Sequence, residues 1–136
     1  MPDQETGLAA VYTAAGKEME IRRYPVKEPK GGDVLLRLEL SGICGTDVHI
    51  CEGRLPLAGP MILGHEFIGR VQALGPRARA DGLGNALAQG DAAVACVAVP
   101  CGKCVSCRRG DTASCLRFGV TYFRNPDEPP HFFGGY

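Results

Sequence analysis

The sequence predicts a mainly β domain with short helices, a small partly open barrel or sandwich. Three observations carry that expectation. Apolar residues alternate with polar ones in short runs, the period of half-buried strands. Nineteen glycines and ten prolines break the chain too often for long helices. The length, 136 residues, suits one domain with a single core, residues 1–136.

In chain order, "LAAVYTAA" (8–15) and "EMEIRRYPV" (18–26) read as strands on either side of a tight turn at Gly16-Lys17. Pro29 and Gly31-Gly32 then exclude a helix. "DVLLRLELSGIC" sets Leu36, Leu38 and Leu40 against Arg37, Glu39 and Ser41, a strand with one buried face. After Cys44, "GTDVHICEG" suits a helical turn capped by Thr46 or Asp47 and ended by Gly53. "PMILGHEFIGRVQALG" reads as strand, glycine break, strand, and "GDAAVACVAV" is an apolar run. Between these two lies a polar loop with a short helical piece, and the stretch from Asn125 to Tyr136 has no periodicity.

Charge narrows the partners. Fifteen Lys plus Arg balance fifteen Asp plus Glu with no long block of either sign, which argues against nucleic acid or an anionic membrane. Small molecules or protein are the expected partners. No apolar run is long enough to span a bilayer, and "MPDQETG" is polar and acidic where a signal peptide is basic, then apolar. A cytoplasmic protein is the expectation. Seven cysteines in a reducing compartment point to metal more than to disulfides.

Cys101, Cys104, Cys107 and Cys115 follow C-x2-C-x2-C-x7-C, in a lobe spanning about residues 100–116. Short gaps of this kind wind the chain around one ion, and four thiolates close a tetrahedron without an open position, so the spacing favours a structural zinc. Lys103, Arg108 and Arg109 offset the dianionic tetrathiolate. An iron–sulfur cluster competes, but its usual last gap is shorter and followed by proline, whereas Leu116 follows Cys115. Disulfides require an oxidising compartment that nothing else in the sequence supports.

Cys44, at the end of one expected strand, and His65, at the start of another, can share a second metal if the strand ends are neighbours. On spacing alone the pairing is weak, because a lone cysteine is usually a small core hydrophobe and a lone histidine a satisfied polar group.

The motifs in combination are stronger. "CGTDVH", "GHEFIG" with Gly75 and Ala78 following, Gly90-Asp91 and the four-cysteine lobe occur in this order over nearly the whole chain. In these the sequence resembles the zinc-containing medium-chain alcohol dehydrogenases, specifically their N-terminal GroES-like catalytic domain, and the "CGTDxH" variant leans toward polyol and threonine dehydrogenases. The resemblance implies that Cys44 and His65 bind a catalytic zinc, with Glu66 as a further or alternate ligand. It implies that Asp47 accepts a hydrogen bond from the His65 ring, behind the ligand shell. Thr46 then matches the hydroxyl that receives the substrate proton, His49 the imidazole that passes it to solvent, and Leu55 and Val97 the substrate pocket. The bland alternatives are a capped turn for Thr46 and Asp47, a solvated helix residue for His49, and ordinary core for Leu55 and Val97.

The activity implied is hydride transfer between a small alcohol, polyol or carbonyl compound and NAD or NADP, with zinc as Lewis acid. The family's nucleotide-binding domain, its third catalytic-zinc ligand and its closing strands lie in sequence downstream of these motifs. No G-x-G-x-x-G follows a strand here, and Gly134-Gly135 precedes only Tyr136. The expectation is therefore an incomplete catalytic domain, inactive alone, whose cofactor domain sits on a longer or separate chain and which can form a homo-oligomer. The alternative is a non-catalytic, zinc-stabilised GroES-like binding module. The stretch from Arg77 to Gln89 is longer than usual for the family, and Ala92-Ala93 replaces its customary basic residue and valine.

Overall fold

The computed structural model describes residues 4–96, 99–118 and 124–136. The chain forms β1 (Thr6–Tyr12), β2 (Glu20–Pro25), β3 (Val34–Ser41), α1 (Gly45–Cys51), β4 (Met61–Ile62), β5 (Phe67–Leu74), β6 (Ala92–Val94) and α2 (Val105–Arg108). Strands dominate and both helices are short, as expected. They assemble as two three-stranded antiparallel sheets, β2-β1-β4 and β3-β5-β6, and among the described residues neither closes into a barrel.

β1 is central to the first sheet, and its alternation buries Ala9 and Val11 while leaving Leu8 exposed. Ala9 and Val11 pack with Tyr24 and Ile62, while Tyr12 packs with Ile50, Met61 and Leu63. Tyr136 leans on both clusters. The β1–β2 connection is wider than the tight turn read from Gly16-Lys17, because the strands stop at Tyr12 and resume at Glu20. The intervening loop leans on α1 instead: Gly16 N–H donates to Cys51 O at 2.9 Å.

In the second sheet the buried face read for β3 is only partly realised. Register shifts between Leu35 and Leu36 and between Leu38 and Leu40 interrupt the alternation. Leu40 (65% exposed), Ile68 (43%) and Val94 (73%) lie side by side in register as an outward apolar row. A period of two marks one face of a strand, but it does not say that the face is covered.

One further expectation is corrected. The loop before β6 holds no helical piece: Ala80 bridges Ala86, and the Asp81 carboxylate accepts N–H bonds from Leu83 (2.9 Å) and Asn85 (2.8 Å). A side chain that takes backbone N–H groups locally competes with a helix for them. The aperiodic tail packs firmly. His131 stacks on Tyr24 with ring centroids 5.2 Å apart, Phe132 meets Tyr24 edge-on, and Asp127 accepts from Tyr24 Oη at 2.9 Å. Among the described residues, no helix is long and apolar enough to cross a membrane.

Candidate metal centres

The first centre is built from local sequence. Gly102 and Gly110, at φ +72° and +83°, make turns that few other residues tolerate, and between them Cys104 caps the single turn of α2. The four sulfurs of Cys101, Cys104, Cys107 and Cys115 all lie within 4.8 Å of one another. Cys104 and Cys107 Sγ are 3.4 Å apart, and Cys101 and Cys107 Sγ 4.0 Å. Zn–S bonds of about 2.3 Å place the sulfurs of a tetrahedron roughly 3.8 Å apart, so this cluster fits zinc.

Backbone N–H groups point at the sulfurs. Cys115 Sγ accepts from Cys101 N and Arg117 N, and Cys101 Sγ accepts from Cys104 N. These donors favour thiolate. The N–H of Cys107 and then of Leu116 hold the Cys104 thiol at about 6, whereas desolvation and the neighbouring Cys104 push Cys107 up to about 12. The side chains of Lys103, Arg108 and Arg109 are exposed around the lobe, where their charge offsets thiolates.

The second centre is assembled from distant segments. β3 ends at Ser41, and Gly42 N–H donates to Glu66 O at 2.7 Å, which extends the β3–β5 pairing by one step. Cys44 and His65 are thereby brought together, with Sγ 3.3 Å from Nε2. Glu66, the third donor of this cluster, has Oε1 4.0 Å from the same nitrogen. Sulfur, imidazole and carboxylate on one side, with Cys44 and His65 half-buried and Glu66 exposed, suit a zinc that keeps an open position.

Helix α1 hangs from this centre. Cys44 is its N-cap, in extended conformation (φ −108°, ψ 173°), so neither Thr46 nor Asp47 is the cap. Asp47, at the third helical position, reaches back to accept from Cys44 N at 3.0 Å, one half of a capping box. Its other oxygen accepts from Gly64 N at 3.3 Å. The carboxylate thus addresses the backbone beside both ligands, and among the described residues no hydrogen bond joins it to the His65 ring. Burial pushes the Asp47 carboxyl up, but bonds from the Cys44 N–H, Tyr136 and the Gly64 N–H outweigh it and hold the group below its ordinary range.

Thr46 and His49 are three residues apart on α1, so they share a face, and both are exposed. Leu55 is exposed just beyond the helix, its N–H on His49 O at 3.1 Å. Val97 lies outside the described residues. A cavity of about 520 Å³ opens beside the inner face of α1, lined by Ser41, Ile43, Asp47, Val48, Cys51 and Tyr136 among others, and not by Leu55. Tyr136 is the residue of this neighbourhood that carries no metal-ligand signature; its only sequence signal is the Gly-Gly pair before it.

The described residues thus form a mainly β domain with a four-thiol cluster and a Cys-His-Glu cluster, each of which could hold a metal ion. Residues 30–136 match the alcohol dehydrogenase GroES-like domain. A probable alcohol dehydrogenase of Mycobacterium tuberculosis is 32% identical over 132 residues, which cover 95% of this chain and 35% of that protein. The L-threonine 3-dehydrogenase of Pyrococcus horikoshii is 33% identical over 123 residues, covering 85% and 34%. The crystal structure of an alcohol dehydrogenase from Thermotoga maritima superposes with a TM-score of 0.81 at 29% identity, over 97% of this chain and 37% of that one. The chain belongs to the alcohol dehydrogenase family, as its GroES-like domain. It spans about a third of the length of these curated relatives.

Proposed function

We propose that this chain is the N-terminal catalytic domain of a zinc-dependent oxidoreductase that transfers hydride between a small alcohol or polyol and NAD or NADP. The observation that carries the reading is the approach of Cys44 Sγ to His65 Nε2, at 3.3 Å, in a chain that also holds a four-cysteine lobe. Cys44, His65 and Glu66 would hold the catalytic zinc, and Cys101, Cys104, Cys107 and Cys115 a structural one. Zinc in the open site supplies Lewis acidity, which makes an alcohol hydroxyl acidic near neutral pH.

The remaining work falls to this chain's side chains and to the nucleotide domain. Thr46 Oγ1 takes the proton that leaves the alcohol, and the His49 imidazole, on the same exposed face of α1, carries it to solvent. Asp47 holds the backbone N–H groups of Cys44 and Gly64, which fixes the ligands' approach without touching substrate. Hydride passes between the substrate carbon and a nicotinamide bound by a domain outside this sequence, on the same longer chain or on a partner chain. The 136 residues alone bind metal and transfer no hydride. The exposed row of Leu40, Ile68 and Val94 favours contact with further polypeptide, including homo-oligomer formation.

The product of the complete reading frame, assayed against a panel of alcohols with each nicotinamide cofactor, tests the reading. Thr46→Ala is expected to lower kcat by about 100-fold with zinc content unchanged. Reduction of neither cofactor by any alcohol tested would refute the assignment.

A further inference from the structure

Gly134-Gly135-Tyr136 resembles no nucleotide fingerprint, yet the structure puts these residues against both segments that carry the Cys44–His65 centre. We propose that this triplet is a strap that sets the spacing of the two ligands, with Tyr136 as a positioning residue; the inference rests on the proposal above that Cys44 and His65 hold a metal.

Neither ligand is inside a strand. Cys44 sits between β3 and α1, and His65 between β4 and β5. Past the Gly42–Glu66 bond the ladder no longer couples them, and the strap takes over. On one side Tyr136 Oη donates to Gly42 O at 2.9 Å, two residues before Cys44. On the other, Gly135 N–H donates to the carbonyls of Leu63 and Gly64, both at 2.9 Å, directly before His65. The Tyr136 ring lies over Gly64, and Asp47 closes the loop by accepting from Gly64 N and Cys44 N.

The glycines are steric requirements of this path. A Cβ on Gly134 would collide with the carbonyls of Ile62 and Leu63. One on Gly135 would lie 2.7 Å from the Phe67 ring and from Ser41 Oγ, and one on Gly64 would lie 2.8 Å from the Tyr136 ring. Three missing side chains therefore let the strap lie flat on the ligand-bearing loops, and the Tyr136 ring is gripped on its face and at its hydroxyl.

Tyr136→Phe separates positioning from packing, because it keeps the ring and removes only the hydroxyl, with its bond to Gly42 O and its interaction with Asp47. The 136-residue chain, its lobe filled with zinc, is titrated with cobalt(II) and followed by thiolate-to-cobalt charge-transfer absorption. Amide hydrogen exchange is measured in parallel without cobalt. Loss of the hydroxyl that bonds the half-buried Gly42 carbonyl is expected to weaken cobalt binding at Cys44 by about tenfold and to speed exchange at the Cys44 and Gly64 amides together by a similar factor, with β1 amides and lobe zinc unchanged. A merely structural role lowers the unfolding midpoint and leaves the cobalt affinity of the folded chain where it was; that result overturns the proposal. If the wild-type chain takes no cobalt at Cys44, the proposal that Cys44 and His65 hold a metal fails, and exchange alone decides the strap: joint acceleration at both amides upholds it, unchanged rates overturn it.

Discussion

Gly64→Ala is the sharpest single perturbation of the second centre. Gly64 has φ +84°, so any L-residue there adopts left-handed backbone, and its new Cβ would sit 2.8 Å from two Tyr136 ring atoms and 3.2 Å from Gly135 Cα. Gly16→Ala is the matched control, since Gly16 has φ +71° and open space around its would-be Cβ. Left-handed alanine costs about 1–2 kcal/mol, and the stiffer unfolded chain adds roughly 0.4–1 kcal/mol to the stability of either mutant. Gly16→Ala is therefore expected to lose about 1 kcal/mol. Gly64→Ala adds the overpacking term, about 1–3 kcal/mol, because the ring cannot swing away without giving up the bond from Tyr136 Oη to Gly42 O. Urea unfolding of both mutants, with m checked for constancy, reads the difference. Equal losses in the two would refute the close packing of Tyr136 on Gly64.

Cys107→Ser is expected to release the tightly held zinc and open residues 100–116 to protease, whereas Cys44→Ser keeps stability within about 1 kcal/mol and leaves lobe zinc in place; metal analysis with limited proteolysis checks the contrast. Stability is also expected to fall above about pH 10, because burial raises the Tyr24 phenol: its contribution is fully present below the unfolded value and is lost as pH climbs through the higher folded one. Tyr24→Phe should flatten that alkaline decline in denaturant titrations, and an unchanged slope would contradict the assignment.

Legibility followed the distance between partners. The four-cysteine lobe could be read directly because all its ligands fall within fifteen residues and its turns carry their own glycines. Cys44 and His65 were nameable only through motif order, since their meeting depends on the pairing of β3 with β5 and on the bond from Gly42 N to Glu66 O. The resemblance gives Asp47 the His65 ring as partner, whereas a carboxylate at the third helical position lies within reach of the N–H of the cap and accepts from it. Tyr136 is not legible in sequence, because a Gly-Gly-Tyr run says nothing until segment 62–64 is laid beneath it. The outward turn of Leu40 was hidden for a related reason, since bulges leave no mark in an alternating pattern.

The central claim is that one metal site in this chain is closed and the other open. Metal analysis of the purified chain after a mild chelator challenge tests it directly. A closed tetrathiolate is expected to keep about one zinc per chain while the Cys44–His65–Glu66 site empties. Two zincs surviving the challenge, or none, would contradict the account.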